Sequence, residues 1–228
     1  MNTTIDTLLI GKISTYGPNK EPSAYIKQPT NETIQINKLG LIGNEVADLK
    51  VHGGRDKAIM HYAFDHYAKW KKEQPQHSSM LESPGAFGEN LSSLSFTEEN
   101  ICIGDQFRLG TAIVEVSQGR QPCWKLGHRF NDQNMVQEVI KKARGGWYYR
   151  VIEEGEVTQG ARIELIERDY PEWTVKRVFT LLIGTKYSND LFGVLYRNRM
   201  NQKSLRELKK VDPLAESWKG RLNHLLNE

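Results

Sequence analysis

The feature that most limits the fold of this chain is a change of sequence pattern near Pro171. Of the 19 glycines, 16 lie before residue 171 and three lie after it, so turns are concentrated in the first part of the chain. Within that part, residues 107–116 alternate apolar side chains on both sides of Leu109-Gly110, which predicts a β-hairpin. Further short strands are predicted over residues 8–14, 24–27, 33–36, 147–152 and 162–167. Many short strands separated by glycines favour a barrel or a sandwich.

Helical spacing of apolar residues marks the rest of the chain. Two helices are predicted within the β region, over residues 64–73 and over residues 131–144, the second closed by Gly145-Gly146. After Trp173 the apolar period changes to 3.6, and residues 204–207 form a capping box, so three or four short helices are predicted there. We therefore predict one domain over residues 1–170 and a helical domain over 171–228. The second carries a net charge of +5 and the first of −2.

The composition excludes several classes of protein. With 38% hydrophobic and 26% charged residues, the chain is expected to fold. The two cysteines, Cys102 and Cys123, cannot build a disulfide framework or a CxxC metal site. No apolar run approaches the roughly 18 residues of a membrane helix, and no signal-peptide pattern opens the chain, so we expect a cytoplasmic protein without membrane contact. P-loop, GxGxxG, HExxH and GxSxG motifs are absent from the sequence.

Cys123 lies in the segment richest in reactive side chains. The segment directly follows the predicted strand over residues 113–116, and Gly119 and Pro122 end that strand, so Cys123 is predicted on a loop. Nearby cations lower the pKa of a thiol and favour the thiolate, which is a nucleophile and a soft metal ligand. The alternative for Cys123 is a buried, unreactive cysteine. For Cys102 we expect that alternative, because isoleucines flank it and no cation is adjacent. The cations within six residues of Cys123 are Arg120, Lys125, His128 and Arg129.

A second cluster, over residues 51–62, has the composition of an anion site. Gly53-Gly54 permits a tight turn that exposes backbone N–H groups, and His52, Arg55 and Lys57 add cationic donors. Such donors suit phosphate. The alternative is an ordinary charged turn.

Three further positions accompany these clusters. Residues 85–91 place two glycines around an aromatic residue, and Glu89-Asn90 follows, so the loop can bring amide groups against a flat polar ligand. His61 falls on a probable strand, where a structural role is the commoner alternative. Arg150 ends another predicted strand.

Taken in chain order, these clusters resemble the MOSC superfamily, whose members handle the molybdenum cofactor or sulfur for it. Two positions depart from the family pattern, because Asn44 replaces an Asp and Gly119 replaces a Pro. Residues 172–175 open a helical region similar to the three-helix tail of one bacterial branch of the family. The resemblance spans about residues 8 to 168 and rests on Gly40-Leu-Ile-Gly43, His52-Gly-Gly54, Phe87-Gly-Glu-Asn-Leu91, Gly104-Asp105 and the segment Arg120–Leu126.

The resemblance implies a fold, a cofactor and a reaction. The implied fold is mainly β, a barrel-like MOSC domain followed by a small α-helical domain. The implied cofactor is the molybdenum cofactor (molybdopterin), with Cys123 as catalytic residue and metal ligand. Family members such as the mitochondrial amidoxime-reducing component reduce N-hydroxylated compounds. The implied activity is therefore a detoxifying reduction of the N–O bond in small N-hydroxylated substrates such as purine bases, with electrons from a flavoprotein or another reductase. The residues implied to hold the phosphate and the polar edge of the pterin are His52, Arg55, Lys57, His61, Asn90, Arg120 and Arg150.

Two other functions stay open on the sequence alone. The first is a carrier of the cofactor or of sulfur, in which Cys123 holds molybdopterin or a persulfide without turnover. The second is nucleic-acid binding through the basic tail, which we do not expect because the sequence has no helix-turn-helix or zinc-finger signature. A docking surface for an acidic electron donor accounts for the same charge.

Overall fold

The computed structural model describes residues 1–49, 51–184 and 202–227, and strands dominate up to residue 167. Within these ranges the strands are β1 (Asn2–Thr4), β2 (Thr7–Gly11), β3 (Ser14–Tyr16), β4 (Glu21–Ser23), β5 (Lys27–Pro29), β6 (Ile34–Asn37), β7 (Gly40–Leu41), β8 (Ile59–Ala63), β9 (Leu91–Ser93), β10 (Gln106–Leu109), β11 (Ala112–Gly119), β12 (Trp147–Glu153), β13 (Gly155–Val157) and β14 (Arg162–Glu167).

Nine of these strands form one sheet that curls into a half-barrel. Its order is β1-β14-β10-β11-β12-β8-β9-β2-β5, and β8 and β9 pair in parallel whereas the other neighbours run antiparallel. A smaller sheet has the order β13-β6-β7, and β3 pairs with β4 as a hairpin. The prediction of a mainly β, barrel-like fold with C-terminal helices is confirmed.

Helices are interspersed among the later strands and follow the last of them. Two short 3-10 helices, Arg55–Lys57 and Pro75–Leu81, accompany them. None of the helices in the described ranges is long and apolar enough to span a membrane. The α-helices are α1 (Asp65–Glu73), α2 (Trp124–Arg129), α3 (Asn134–Lys142), α4 (Val175–Leu182), α5 (described over residues 202–208) and α6 (Glu216–Leu226).

The C-terminal helices share an apolar core with the sheet. Phe107 and Val116 of the sheet belong to the same buried cluster as Phe179 of α4 and Trp218 of α6. At Gly119 a Cβ atom would lie 3.0 Å from the Trp218 ring and 3.2 Å from Phe179, so the missing side chain lets both helices approach β11. Glycine in place of the proline of the family pattern therefore allows α4 and α6 to pack closely on β11. The division at residue 170 stays a prediction about independent folding.

Local signals predicted some elements and missed the limits of others. The hairpin around Leu109-Gly110 is confirmed as β10 and β11. The strand predicted over residues 24–27 is wrong, because the Ser23 hydroxyl accepts a hydrogen bond from the Tyr25 N–H and closes a turn there. The helix predicted from residue 131 starts at Asn134, because Asn131 has φ +48°, which is incompatible with a right-handed helix. The capping box predicted at residues 204–207 is also wrong, since α5 already includes residue 202.

Candidate functional site

Cys123 stands between the end of β11 and the first turn of α2. The strand ends at Gly119, and Cys123 is the N-cap of α2 with extended backbone angles, φ −122° and ψ 178°. Its side chain is half-buried, whereas Cys102 is buried and its thiol donates to the Pro171 carbonyl at 3.4 Å. Burial raises the pKa of Cys102 to about 11. The two thiols therefore differ as the sequence predicted, and Cys123 is the accessible one.

Two connected depressions meet at Cys123. The first, here called the inner pocket, lies against the loops around Tyr25, Asp48 and Phe87. The second, here called the outer cleft, extends from Cys123 to α6. Both are lined by His52, Lys57, Gln121, Cys123 and Tyr148. The other polar residues that line the inner pocket are Ser23, Tyr25, Lys27, Asn44, Glu45, Asp48, Asn90, Arg120 and Lys125.

Arg120 is the most buried cation of the inner pocket, with 4% of its surface exposed. Its Nη2 donates to the Phe87 carbonyl at 3.2 Å and contacts the Tyr25 hydroxyl at 3.5 Å. Its Nη1 is buried and has no hydrogen-bond partner among the described residues. An unpaired buried donor costs about 1 to 3 kcal/mol, and more when it is charged. Arg120 therefore carries binding capacity that the fold itself does not use.

Lys27, at the start of β5, is a pocket cation that the sequence analysis missed. Its Nζ donates to the Gly88 carbonyl at 2.7 Å and contacts the Ala24 carbonyl at 3.4 Å. The pKa of Lys27 is lowered to about 8, mainly by burial and also by the charges of Arg120 and Lys125, against the opposing effect of Glu89. No local motif marks this lysine, since it reaches Gly88 only through the pairing of β5 with β2 and of β2 with β9.

His52 lines both depressions, and it is a neutral imidazole rather than a cation at neutral pH. Its pKa is lowered to about 4, first by burial and then by the positive charge of Lys125. A neutral imidazole offers one N–H donor and one acceptor nitrogen. Lys57 lies beside it and donates to the Val51 carbonyl at 2.6 Å, and burial lowers its pKa as well. The positive charge of the inner pocket thus comes from Lys27, Lys57, Arg120 and Lys125.

Asn90 joins the inner pocket to the sheet. Its side-chain amide donates to Asn44 Oδ1 at 3.0 Å and to the Leu9 carbonyl at 3.2 Å, and its Oδ1 accepts from the Met60 N–H at 3.2 Å. Asn44 Oδ1 also accepts from the Gly11 N–H at 3.0 Å. The amide oxygen of Asn44 thus accepts two hydrogen bonds, as the carboxylate expected from the family pattern would.

Three of the predicted cofactor residues lie away from the pocket. Arg55 is exposed on the first 3-10 helix and lines neither depression. Arg150 is engaged by Asp56 at 2.7 Å and by Glu115 at 2.8 Å. His61 is fully buried, and burial lowers its pKa to about 3. Its ring nitrogens contact the hydroxyl groups of Tyr149 at 3.0 Å and Ser93 at 2.9 Å.

The structure therefore separates the seven predicted cofactor residues into two sets. His52, Lys57, Asn90 and Arg120 line the inner pocket together with Cys123, whereas Arg55, His61 and Arg150 do not. Arg55 is exposed, and the local sequence of His61 and Arg150 does not reveal the partners from other elements that occupy their side chains. No group of three or more His, Cys, Asp and Glu side chains that could hold a metal ion occurs among the residues that the structure describes.

Comparison with known proteins assigns the family. The family model of the MOSC domain matches residues 48–164. The chain belongs to the MOSC domain family. Protein YiiM of Escherichia coli (strain K12) is 42% identical over 158 residues, which are 69% of this chain and 70% of YiiM. Protein YflK of Bacillus subtilis (strain 168) is 36% identical over 93% of this chain and 90% of YflK. These matches confirm the predicted family.

A fungal relative and two crystal structures extend the comparison. A protein named "Reductase" from Gibberella moniliformis is 38% identical over 75% of this chain, which covers 30% of that protein. The crystal structure of YiiM from Escherichia coli has a TM-score of 0.75 at 27% identity, covering 100% of this chain and 93% of that one. YiiM from Geobacillus stearothermophilus gives 0.76 at 26% identity, with coverages of 98% and 99%. The C-terminal helices therefore belong to a shared architecture.

Proposed function

We propose that this protein is a molybdenum-cofactor-dependent reductase of small N-hydroxylated compounds, with N-hydroxylated purine bases among its substrates. The observation that carries the proposal is the position of Cys123 at the mouth of a cationic pocket whose buried Arg120 lacks a full set of partners. The MOSC family model and the fungal relative named "Reductase" support the assignment to redox chemistry.

The residues of the inner pocket fit a phosphate-bearing pterin cofactor. Guanidinium and ammonium groups are the side chains that bind phosphate most strongly. Arg120 Nη1, Lys27 and Lys125 would hold the anionic phosphate, and the Asn44 and Asn90 amides form a polar wall beside it. The thiolate of Cys123 is a soft ligand suited to molybdenum. Arg55, His61 and Arg150 are not needed for this arrangement.

The protein supplies binding and electrostatics, and the cofactor supplies the redox chemistry. When bound, the molybdenum cofactor would supply the oxygen-atom and electron transfer that reduction of the N–O bond requires. Overall, the substrate, two electrons and two protons give the reduced nitrogen compound and water. Neutral His52 and the hydroxyl of Tyr148, both beside Cys123, can direct hydrogen bonds at the reacting group. Burial raises the pKa of Tyr148, so its hydroxyl keeps its proton at neutral pH.

The test is metal content and turnover of protein made in a host that synthesises the cofactor. We expect molybdenum in the wild-type protein and reduction of an N-hydroxylated base with a chemical reductant. Cys123→Ser should remove at least about 99% of the turnover, because a hydroxyl is a poor ligand for a soft metal centre. Cys102→Ser is the matched control and should keep its activity.

Two outcomes contradict the proposal in different ways. Molybdenum binding without reduction of any N-hydroxylated compound identifies a cofactor carrier, and sulfur transfer from Cys123 without molybdenum identifies a sulfur carrier.

In the cell, the proposed electron donor is a flavoprotein or another reductase, and the proposed location is the cytoplasm. Donor docking on the basic C-terminal helices remains a prediction that salt-dependent kinetics with the protein donor can test.

A further inference from the structure

The outer cleft begins at Cys123 and ends on α6, and of the inner-pocket cations only Lys57 also lines it. Its volume, about 310 Å³, falls in the range of small-molecule sites. The side chains found only on this side include Gln118 at the end of β11 and Ser217, Trp218 and Arg221 of α6. The cleft therefore joins the reactive cysteine to the C-terminal helices.

Positive charge dominates the lining of the outer cleft. Its basic residues are Lys57 and Arg221, and no Asp or Glu is among its described lining residues. The carboxylate nearest along the chain to Lys57 is Asp56, which is engaged by Arg150 at 2.7 Å and by the Glu216 N–H at 3.1 Å. The potential in the cleft thus favours an anion or a neutral acceptor and disfavours a cation.

Arg221 and Gln118 present hydrogen-bond donors in fixed orientations. Arg221 Nε donates to the Leu182 carbonyl at 2.6 Å, which anchors the side chain, and no hydrogen bond from its Nη atoms to another described residue is observed. Gln118 is buried, and its Oε1 accepts from the Ser217 hydroxyl at 3.0 Å. Its Nε2 makes only a long contact of 3.4 Å to the Gly119 carbonyl. Both groups suit a ligand with acceptor atoms.

We propose that the outer cleft holds the non-reacting part of the substrate and selects it by charge, an inference that rests on the proposed function. Arg221, with Gln118 oriented by Ser217, is the specificity-determining group. It favours N-hydroxylated compounds that carry a carboxylate or a ring with acceptor atoms. It rejects those that carry a cation, such as protonated N-hydroxyguanidines.

Three ligands of nearly the same shape and different charge show whether the affinity of the outer cleft depends on ligand charge. Benzoate, benzamide and benzamidinium should bind the wild-type protein in that order of decreasing affinity, measured by calorimetry and by quenching of tryptophan fluorescence. Arg221→Glu should weaken benzoate at least about tenfold, because it replaces a charge-assisted hydrogen bond with repulsion, and should improve benzamidinium. Arg221→Lys keeps the charge and should keep the order.

Two further variants separate the effect of charge from any structural change that follows loss of the Arg221 contact to Leu182. Ser217→Asp places a carboxylate in the same cleft without altering the Arg221 contact to Leu182, and it should also weaken benzoate. Lys210→Glu changes the net charge as Arg221→Glu does, but Lys210 is exposed and lies outside the cleft, so benzoate binding should not change. Equal effects of Lys210→Glu and Arg221→Glu overturn the proposal.

Turnover distinguishes this inference from the proposed function. In the loaded enzyme, kcat/KM for benzamidoxime with a para-carboxylate should exceed that for unsubstituted benzamidoxime, and Arg221→Glu should remove the preference. Turnover with an unchanged preference in Arg221→Glu contradicts the cleft assignment and leaves the reductase intact. Benzoate binding that depends on Arg221 in a protein without reductase activity contradicts the proposed function and supports the cleft as an anion site.

Discussion

The loop at Phe87 separates two groups of buried polar side chains that differ in how completely they are paired. On one side, the Glu89 carboxylate accepts hydrogen bonds from the backbone N–H groups of Gly85 and Phe87 at 2.8 and 3.1 Å, and from the Tyr67 hydroxyl. On the other side, Arg120 donates to the Phe87 carbonyl and leaves its buried Nη1 without a partner in the described ranges.

The difference separates a carboxylate that the fold pairs completely from a guanidinium that it pairs only in part. A fully paired buried group stabilises the structure around it, whereas an unpaired one lowers stability until a ligand binds. Glu89 also lies outside the lining of the inner pocket, whereas Arg120 is part of it. Within the family motif over residues 87–91, Glu89 therefore shapes the loop, whereas Phe87, Gly88 and Asn90 line the inner pocket together with the cations.

The largest predicted effect concerns the paired side. Glu89→Ala should lower the free energy of unfolding by about 4 kcal/mol, because it leaves the Phe87 N–H and the Tyr67 hydroxyl without their acceptor and removes one of the two acceptors of the Gly85 N–H. Urea denaturation measures this loss. Glu82→Ala is the matched control, since its ion pair with Lys71 is exposed and contributes less than about 0.5 kcal/mol. Similar losses in both variants would show that the Glu89 pairing has no special role.

The next prediction reverses the sign of the stability effect. Arg120→Met should weaken binding of the cofactor by about 10- to 100-fold, the equivalent of one or two charge-assisted hydrogen bonds. The melting temperature of the cofactor-free protein should stay the same or rise, because an underpaired buried charge is removed. Molybdenum content and thermal denaturation measure the two effects.

Arg150→Met provides the opposite control for Arg120. Its guanidinium is already paired with Asp56 and Glu115, so its loss should lower the melting temperature and leave molybdenum content unchanged. Two results together would contradict the contrast between Glu89 and Arg120. In the first, Arg120→Met lowers the melting temperature of the cofactor-free protein as much as Arg150→Met does. In the second, Arg120→Met binds as much molybdenum as the wild-type protein.

The smallest predicted effect is a pH dependence of anion binding. Because the pKa of Lys27 is lowered to about 8, its ammonium group loses the proton as the pH rises through 8, and the pocket loses one positive charge. The affinity of cofactor-free protein for sulfate, whose own charge is constant here, should fall about three- to tenfold between roughly pH 7 and 9. Lys27→Met should bind more weakly at pH 7 and lack this step. An identical step in Lys27→Met assigns the titration to another group.

The sequence predicted the parts of this molecule that depend on local pattern. The hairpin of β10 and β11 follows from alternation around Leu109-Gly110, and α4 follows from the apolar period after Trp173. Cys123 could be placed on a loop because Gly119 ends β11. The family motifs then located the pocket walls.

The missed residues depend on contacts between distant segments. Lys27 belongs to no motif, and its Nζ meets the Gly88 carbonyl 61 residues away. Arg150 has the right charge for a phosphate, but Asp56 and Glu115 reach it from other parts of the fold. His61 sits on β8 as predicted, yet the hydroxyl groups that occupy its ring come from other strands. Local sequence gives residue type and element, and the sheet topology decides which charges remain available.

The most direct test of the central claim is X-ray absorption at the molybdenum edge of the loaded protein. The account predicts a sulfur neighbour contributed by the protein, which disappears in Cys123→Ser and persists in Cys102→Ser and Arg150→Met. A molybdenum centre whose sulfur neighbours are the same in wild type and Cys123→Ser would contradict the assignment of Cys123 as the metal ligand.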